Sequence, residues 1–121
     1  MLGIGTDILA IERMAQALDR TGERLYERIL APSERRCAPP LGHRALAKIF
    51  AGKEAVVKAL GSGFRGGIGW HDIQISRDHL GRPEVTLSGA AEARYQALGG
   101  QQLLLSLSDE KEYVVAFAAL S

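Results

Sequence analysis

Cysteine, tryptophan and proline are scarce in this chain, and no long apolar run is present. Its 121 residues include one cysteine, one tryptophan and four prolines. A single cysteine, Cys37, excludes an intrachain disulfide and any metal cluster built on cysteines. The histidines at 43, 71 and 79 lie singly and lack the spacing of zinc ligands. Without a membrane-spanning run or a recognisable signal peptide, we expect a cytoplasmic protein with no membrane partner.

The net charge is small, and the totals therefore do not indicate a nucleic-acid-binding protein. Lys and Arg number 15 against 14 Asp and Glu, and 46% of the residues are apolar. That apolar content can form a core, and the length suits a single domain over 1–121. Residues 1–68 carry 11 Lys and Arg against 7 Asp and Glu, whereas residues 69–121 carry 4 against 7. The basic half could face an acidic partner or a phosphorylated ligand, although such an imbalance is common in small domains.

Hydrophobic periodicity predicts a first strand, three helices, and then a strand-rich half with one more helix. The predicted strands cover 1–10, 71–76, 84–87, 102–108 and 113–120, and the predicted helices cover 11–19, 23–30, 44–60 and 89–98. Residues 31–43 are predicted to form a loop. This order favours an α+β domain with a mainly antiparallel sheet packed on a long central helix. The last two strands are apolar on both faces, which indicates a central position or contact with other subunits of a homo-oligomer.

The long helix predicted over 44–60 carries charges on its apolar side. At about 100° per residue, Lys53 falls near the middle of the apolar stripe, and Glu54 falls at its edge. Lys58 follows one turn after Glu54. A buried ammonium needs a partner, a metal or a pocket, and a carboxylate or a phosphate could hold this one. Alternatively, the Lys53 stem lies along apolar surface while its ammonium reaches water.

Two carboxylates from separate elements form a suitable pair for Mg²⁺. Asp7 follows a strand that two glycines interrupt, and Glu54 lies on the long helix. Mg²⁺ commonly takes one or two carboxylates together with substrate phosphates and water. A glycine-rich loop (residues 61–67) follows the helix. Its backbone amides and two lysines of the helix could together bind phosphates. These phosphate-binding candidates are Lys53, Lys58, Gly61, Ser62 and Gly63. Asp7 could instead begin a turn, and the loop could be a flexible connector.

A basic surface is predicted on the outer sides of the first two helices. It comprises Arg13, Arg20 and Arg24, with Arg28 one turn further on. Such a surface could dock an acidic partner. Interleaved glutamates leave a solvated, salt-bridged face as the alternative.

Two stretches of the chain resemble the signature motifs of the holo-[acyl-carrier-protein] synthases, the small single-domain 4′-phosphopantetheinyl transferases. They are GIGTDI at 3–8 and FAGKEAVVKALG at 50–61. The resemblance covers nearly the whole chain, including the Gly-Arg-Pro turn at 81–83 and the C-terminal hairpin. It implies the 4′-phosphopantetheinyl transferase fold and a homotrimer with active sites between subunits.

The resemblance also implies a reaction. With Mg²⁺, the phosphopantetheine arm of coenzyme A moves to a serine of apo acyl carrier protein, and adenosine 3′,5′-bisphosphate leaves, in support of fatty acid biosynthesis. Asp7 and Glu54 match the metal ligands, and Lys58 matches a catalytic lysine that meets the coenzyme phosphates. Pro83 is assigned to the coenzyme site, and Arg13 matches an arginine that docks the carrier protein. Glu54 or a metal-ordered water could take the serine proton.

One position departs from the family pattern, because Asp109 stands where many members carry a histidine. Asp109 could accept a proton or bind the metal through water, but the charged neighbours at 110–112 favour a role in shaping an exposed turn. Two other functions stay open at this point. The chain could be a Mg²⁺-dependent module that binds coenzyme A or a nucleotide without transfer. It could also be a structural oligomeric domain whose basic helices bind an acidic partner.

Overall fold

The computed structural model describes residues 1–35 and 41–121. Its helices and strands are β1 (Gly3–Ala10), α1 (Ile11–Thr21), α2 (Glu23–Ile29), α3 (His43–Ala59), β2 (Ile73–Arg77), β3 (Pro83–Leu87), α4 (Gly89–Ala97), β4 (Leu103–Asp109) and β5 (Tyr113–Leu120). Single turns of 3-10 helix cover Pro32–Arg35 and Trp70–Asp72. In these two described ranges, no helix is both long and apolar enough to cross a membrane.

The strands form two antiparallel sheets, one with the order β1-β5-β4 and one that pairs β2 with β3. In the larger sheet, Gly3 lies opposite Leu120 and Asp7 lies opposite Ala116. Helix α3 packs across this sheet, mainly on β1 and β5. The predicted α+β class, with an antiparallel sheet on a long central helix, is confirmed.

The structure corrects two local predictions. The strand predicted from residue 71 begins at Ile73, because the Asp72 carboxylate accepts a hydrogen bond from the Gly69 amide at 3.1 Å and closes a turn. The stretch 31–43 is not all loop, since Pro32–Arg35 forms a 3-10 turn and α3 begins at His43. Residues 36–40 of that predicted loop, including Cys37, lie outside the described residues.

The larger sheet has two different faces. Alternate β5 residues from Val114 to Leu120 are buried against α3. The opposite face is apolar and open, with exposed fractions between 41% and 65% for Ile4, Ile8, Leu104, Tyr113, Val115 and Phe117. The pairing register puts these side chains on one surface. The last strands are therefore apolar on both faces, as predicted, and one of those faces is uncovered in the single chain.

Two glycines let β1 lie directly against α3. A Cβ atom added at Gly3 would lie 2.0 Å from the Ala59 carbonyl oxygen, and one added at Gly5 would lie 2.0 Å from that of Ala55. Any side chain here would separate strand from helix, which explains glycine inside a strand. This contact fixes Asp7, two residues after Gly5, beside the C-terminal half of α3.

Replacing Gly5 with alanine is therefore expected to lower the free energy of unfolding by about 1–3 kcal/mol or more, because the new methyl group overpacks the β1–α3 contact. Urea denaturation measures the effect. Gly69→Ala is the matched control, since a Cβ there meets no atom within 4 Å. An unchanged unfolding midpoint for Gly5→Ala would show that the strand can move away from the helix at little cost.

Candidate active site

Three predicted functional side chains come together where β1 crosses α3. We call Asp7, Glu54 and Lys58 the carboxylate–lysine cluster. The Lys58 ammonium donates to the Thr6 carbonyl oxygen at 2.8 Å and to Asp7 Oδ1 at 3.4 Å. The Lys58 side chain is 51% exposed and that of Asp7 is 18% exposed. Lys58 therefore links helix to strand and still has access to a ligand in solvent.

The two carboxylates of the cluster repel each other. Partial burial raises the pKa of Glu54, the negative charge of Asp7 raises it further, and the Lys58 ammonium opposes both effects. With both carboxylates ionised, the cluster has one negative charge in excess, which favours the approach of a cation. No group of three His, Cys, Asp or Glu side chains that could hold a metal occurs in the described part of the chain. Two carboxylates suit Mg²⁺, which fills its remaining positions with water and substrate phosphate.

The glycine-rich loop begins next to the cluster, but its first amides face the helix. The Gly61 amide donates to the Lys58 carbonyl at 3.0 Å, and those of Ser62 and Gly63 donate to the Val57 carbonyl at 3.4 Å. Bonds of 3.4 Å are long and weak. In this conformation the three amides predicted to bind phosphate complete the end of α3. Their role with a ligand stays a prediction.

Lys53 requires a correction. Its side chain is 0% exposed, and its ammonium donates to Glu34 Oε1 at 2.7 Å, to the Trp70 carbonyl at 3.0 Å and to the Ile29 carbonyl. All three N–H groups are thus engaged inside the protein. This arrangement contradicts the prediction that Lys53 binds phosphate. Burial lowers the pKa of Lys53, and the bond and charge of Glu34 oppose that effect.

Glu34 is the residue that sequence reasoning missed. Its Oε1 also accepts from the Ala31 amide at 2.9 Å, and its Oε2 accepts from the Ile75 amide at 3.0 Å. Glu34 lies in a proline-containing stretch predicted as loop, where no periodicity marks a buried side chain. The one available signal was Lys53 itself, because a buried ammonium demands a partner.

The remaining predicted residues lie on other elements. Arg13, Arg20 and Arg24 are exposed on α1 and α2. Within residues 1–35 and 41–121, none of these three arginines forms a salt bridge. Their basic surface is therefore available to a partner. Pro83 begins β3 in the smaller sheet, and its assignment to a coenzyme site stays a prediction.

Asp109 joins the β4–β5 turn to α3. Its carboxylate contacts Lys48 at 2.7 Å and Arg44 at 3.0 Å, and Arg44 also donates to the carbonyls of residues 110 and 111. The hydrogen bond from Lys48 is the main cause that lowers the pKa of Asp109. These contacts support the interpretation that Asp109 shapes the turn.

A groove of about 850 Å³ lies on a different part of the surface, between the N-terminal half of α3 and β2. Its lining includes Arg44, Lys48, Gln74 and Arg77, and no member of the carboxylate–lysine cluster. The groove and the cluster are therefore separate sites on the surface.

Comparisons with known proteins agree on one family. The family model of the 4′-phosphopantetheinyl transferase superfamily matches residues 3–118. A holo-[acyl-carrier-protein] synthase of Halorhodospira halophila is 49% identical over 120 residues, which cover 98% of this chain and 95% of that protein. The holo-[acyl-carrier-protein] synthase structure from Neisseria meningitidis matches with a TM-score of 0.90 and 36% identity, covering 100% of this chain and 98% of that one.

A further solved structure, the Helicobacter pylori holo-[acyl-carrier-protein] synthase in complex with coenzyme A, matches with a TM-score of 0.84 and 32% identity. It covers 98% of this chain, which spans 99% of that structure. The fold expected from the two signature motifs is thereby confirmed.

Proposed function

Because the chain belongs to the holo-[acyl-carrier-protein] synthase family of the 4′-phosphopantetheinyl transferase superfamily, we propose that it transfers phosphopantetheine from coenzyme A to apo acyl carrier protein. The single observation that supports this best is the carboxylate–lysine cluster. It combines a paired carboxylate site, suited to a divalent cation, with a half-exposed ammonium. A site for a metal-bound pyrophosphate needs both kinds of group.

In the proposed reaction, the serine oxygen of the carrier protein forms a bond to the β-phosphorus of coenzyme A. The bond from that phosphorus to the leaving oxygen breaks, and adenosine 3′,5′-bisphosphate departs. Asp7 and Glu54 would hold Mg²⁺, which when bound neutralises charge on the pyrophosphate. Lys58 exchanges its contacts with Thr6 and Asp7 for a phosphate oxygen. The serine proton passes to Glu54 or to an ordered water.

Intact-mass analysis of apo acyl carrier protein tests the proposal directly. Incubation with this protein, coenzyme A and Mg²⁺ is expected to add one phosphopantetheine group to the carrier protein. Omission of Mg²⁺ with added chelator should stop the addition. Coenzyme binding without any mass change would favour the binding-module alternative. A carrier protein that binds but stays unmodified, with no coenzyme binding, would favour the structural alternative.

We propose that the arginine surface of α1 and α2 docks the carrier protein. Arg13, Arg20 and Arg24 are exposed and have no acidic partner among the described residues. An acidic partner approaching such a surface gains on-rate and orientation from charge complementarity. Because the buried Ile11 and Met14 fix the opposite side of α1, the surface is held in place on the fold.

Reversing the charge at Arg13 should weaken the use of carrier protein and spare coenzyme binding. For Arg13→Glu we expect the KM for apo carrier protein to rise about tenfold or more, with an unchanged Kd for coenzyme A. Steady-state kinetics and calorimetry measure the two quantities. Arg13→Gln serves as the graded control and should give an intermediate KM with weaker salt dependence. An equal loss in both quantities would point to misfolding or to a different docking surface.

We further propose a homotrimer with active sites between subunits. Monomeric proteins ordinarily expose apolar side chains singly, whereas the open face of the larger sheet exposes several of them together. A neighbouring subunit on that face would bury Ile8 and Phe117 and would add a wall near β1, which carries Asp7. The mass in solution, from sedimentation equilibrium, tests the trimer. The single-domain assignment over 1–121, the cytoplasmic location and the role in fatty acid biosynthesis belong to the same proposal.

A further inference from the structure

A column of three aromatic rings joins the glycine-rich loop to α3. The Trp70 ring stacks between Phe50, at a centroid distance of 4.9 Å, and Phe64, at 4.1 Å, with interplanar angles of 27° and 26°. Phe50 lies on α3 one turn before Glu54, and Phe64 lies in the middle of the glycine-rich loop. Residues four apart on a helix share a side. The column therefore connects the loop to the same side of α3 that carries Glu54.

The glycine-rich loop has little else to hold its centre. Gly63, Gly66 and Gly67 all have positive φ angles, a conformation that glycine adopts with little penalty and without side chains to pack. The one backbone hydrogen bond across the central residues joins the Ile68 amide to the Arg65 carbonyl at 3.1 Å, among the described contacts. The stack of Phe64 on Trp70 is thus the main side-chain contact that anchors the middle of the loop.

The backbone of Trp70 is held by a hydrogen bond from the core. Its carbonyl oxygen accepts from the buried Lys53 ammonium at 3.0 Å. The loop therefore contacts α3 at three places: at its start near Gly61, at its centre through the Phe64–Trp70–Phe50 column, and after its end through Lys53 and the Trp70 carbonyl. One helix thus positions the whole loop.

We propose that Phe64 and Trp70 are positioning residues that hold the glycine-rich loop in the shape required to bind coenzyme A. This inference rests on the proposed function, in which the loop borders the coenzyme site. The stack lowers the entropy that the loop would otherwise lose when a ligand binds. Neither ring has to touch the reacting atoms for this role.

The test compares variants of Phe64, which is half-buried in a loop and packs against the edge of the core. Phe64→Ala is expected to raise the Kd for coenzyme A about tenfold, and Phe64→Leu, which keeps apolar bulk without a ring, about two- to tenfold. Phe64→Tyr should restore the wild-type Kd. Calorimetry with coenzyme A as the probe measures these values. The kcat at saturating coenzyme A and the KM for carrier protein should stay near wild type.

Trp70 provides a second measurement, since it is the sole tryptophan. Its emission should shift to longer wavelength in Phe64→Ala, and in wild type it should change on addition of coenzyme A with a midpoint equal to the calorimetric Kd. A wild-type Kd in Phe64→Ala, or a fall in kcat and thermal stability without a change in Kd, would overturn the inference. Binding requires no transfer, so absence of phosphopantetheine addition by wild type would refute the proposed function separately.

Discussion

Neutralising either carboxylate of the Asp7–Glu54 pair is expected to reduce phosphopantetheine transfer by at least about a hundredfold while leaving the fold intact. Asp7→Asn and Glu54→Gln keep the size of each side chain and remove its charge. Charge stabilisation at a reacting phosphate depends on those charges and on the metal they hold. Initial rates of transfer at saturating Mg²⁺ measure the effect. Wild-type activity in either variant would show that the two-carboxylate site is wrong.

The same Glu54→Gln variant should be more stable than wild type at neutral pH without metal. Burial and the charge of Asp7 raise the pKa of Glu54 in the folded protein above its unfolded value. Protonated Glu54 therefore stabilises the fold at low pH, and that stability is lost as pH rises between the unfolded and folded pKa values. At neutral pH the ionised Glu54 carboxylate lowers the free energy of unfolding, and glutamine removes this effect.

Thermal unfolding in chelator at several pH values checks this sign. The Tm of Glu54→Gln should exceed that of wild type near neutral pH, and the difference should disappear at pH values below the unfolded pKa. A lower Tm for the variant at neutral pH would show that ionised Glu54 stabilises the fold. Added Mg²⁺ should raise the Tm of wild type alone. Proteins often become more stable when a charged residue of the functional site is replaced, because such residues are retained for activity although they lower stability.

The site could be predicted where residue type and spacing carried the information. The two glycines that interrupt the first strand lie where α3 approaches its backbone, and this contact brings Asp7 to Lys58. The turn at Trp70–Asp72 was not predictable from alternation, because hydrogen bonds between Gly69 and Asp72 close it, one of them from the Gly69 amide to the Asp72 carboxylate. The burial of Glu34 could not be predicted for a similar reason. Its burial depends on contacts with Lys53 and Ile75, 19 and 41 positions later in the chain, which no local pattern records.

Lys53 shows what the sequence could and could not predict. Its place in an apolar stripe indicated that it needs a partner, and the pattern could not say whether that partner is a phosphate or a carboxylate. The structure provides three acceptors, which match the three N–H groups of an ammonium. Lys53 therefore joins α3 to the end of α2, to the 3-10 turn at Pro32–Arg35 and to Trp70. The residue directly before Glu54 holds the helix in place.

Removing that ammonium should cost far more than removing a surface charge. Lys53→Met leaves the Glu34 carboxylate buried without its cation, and we expect a loss of about 3–5 kcal/mol in the free energy of unfolding. Urea denaturation measures it. Arg44→Met is the matched control, because it breaks a salt bridge whose arginine side chain is 45% exposed, and its effect should be much smaller.

A second substitution separates the buried charge from simple loss of packing. In Glu34→Gln with Lys53→Met, the unpaired charge is gone, while the amide oxygen of glutamine can still accept from the Ala31 or the Ile75 amide. The double variant should therefore be more stable than Lys53→Met alone. If its loss instead equals the sum of the two single losses, Glu34 and Lys53 act independently and the ion pair is not the anchor. Because Lys53 also holds Trp70, recovery of stability without recovery of wild-type tryptophan emission would separate its two contacts.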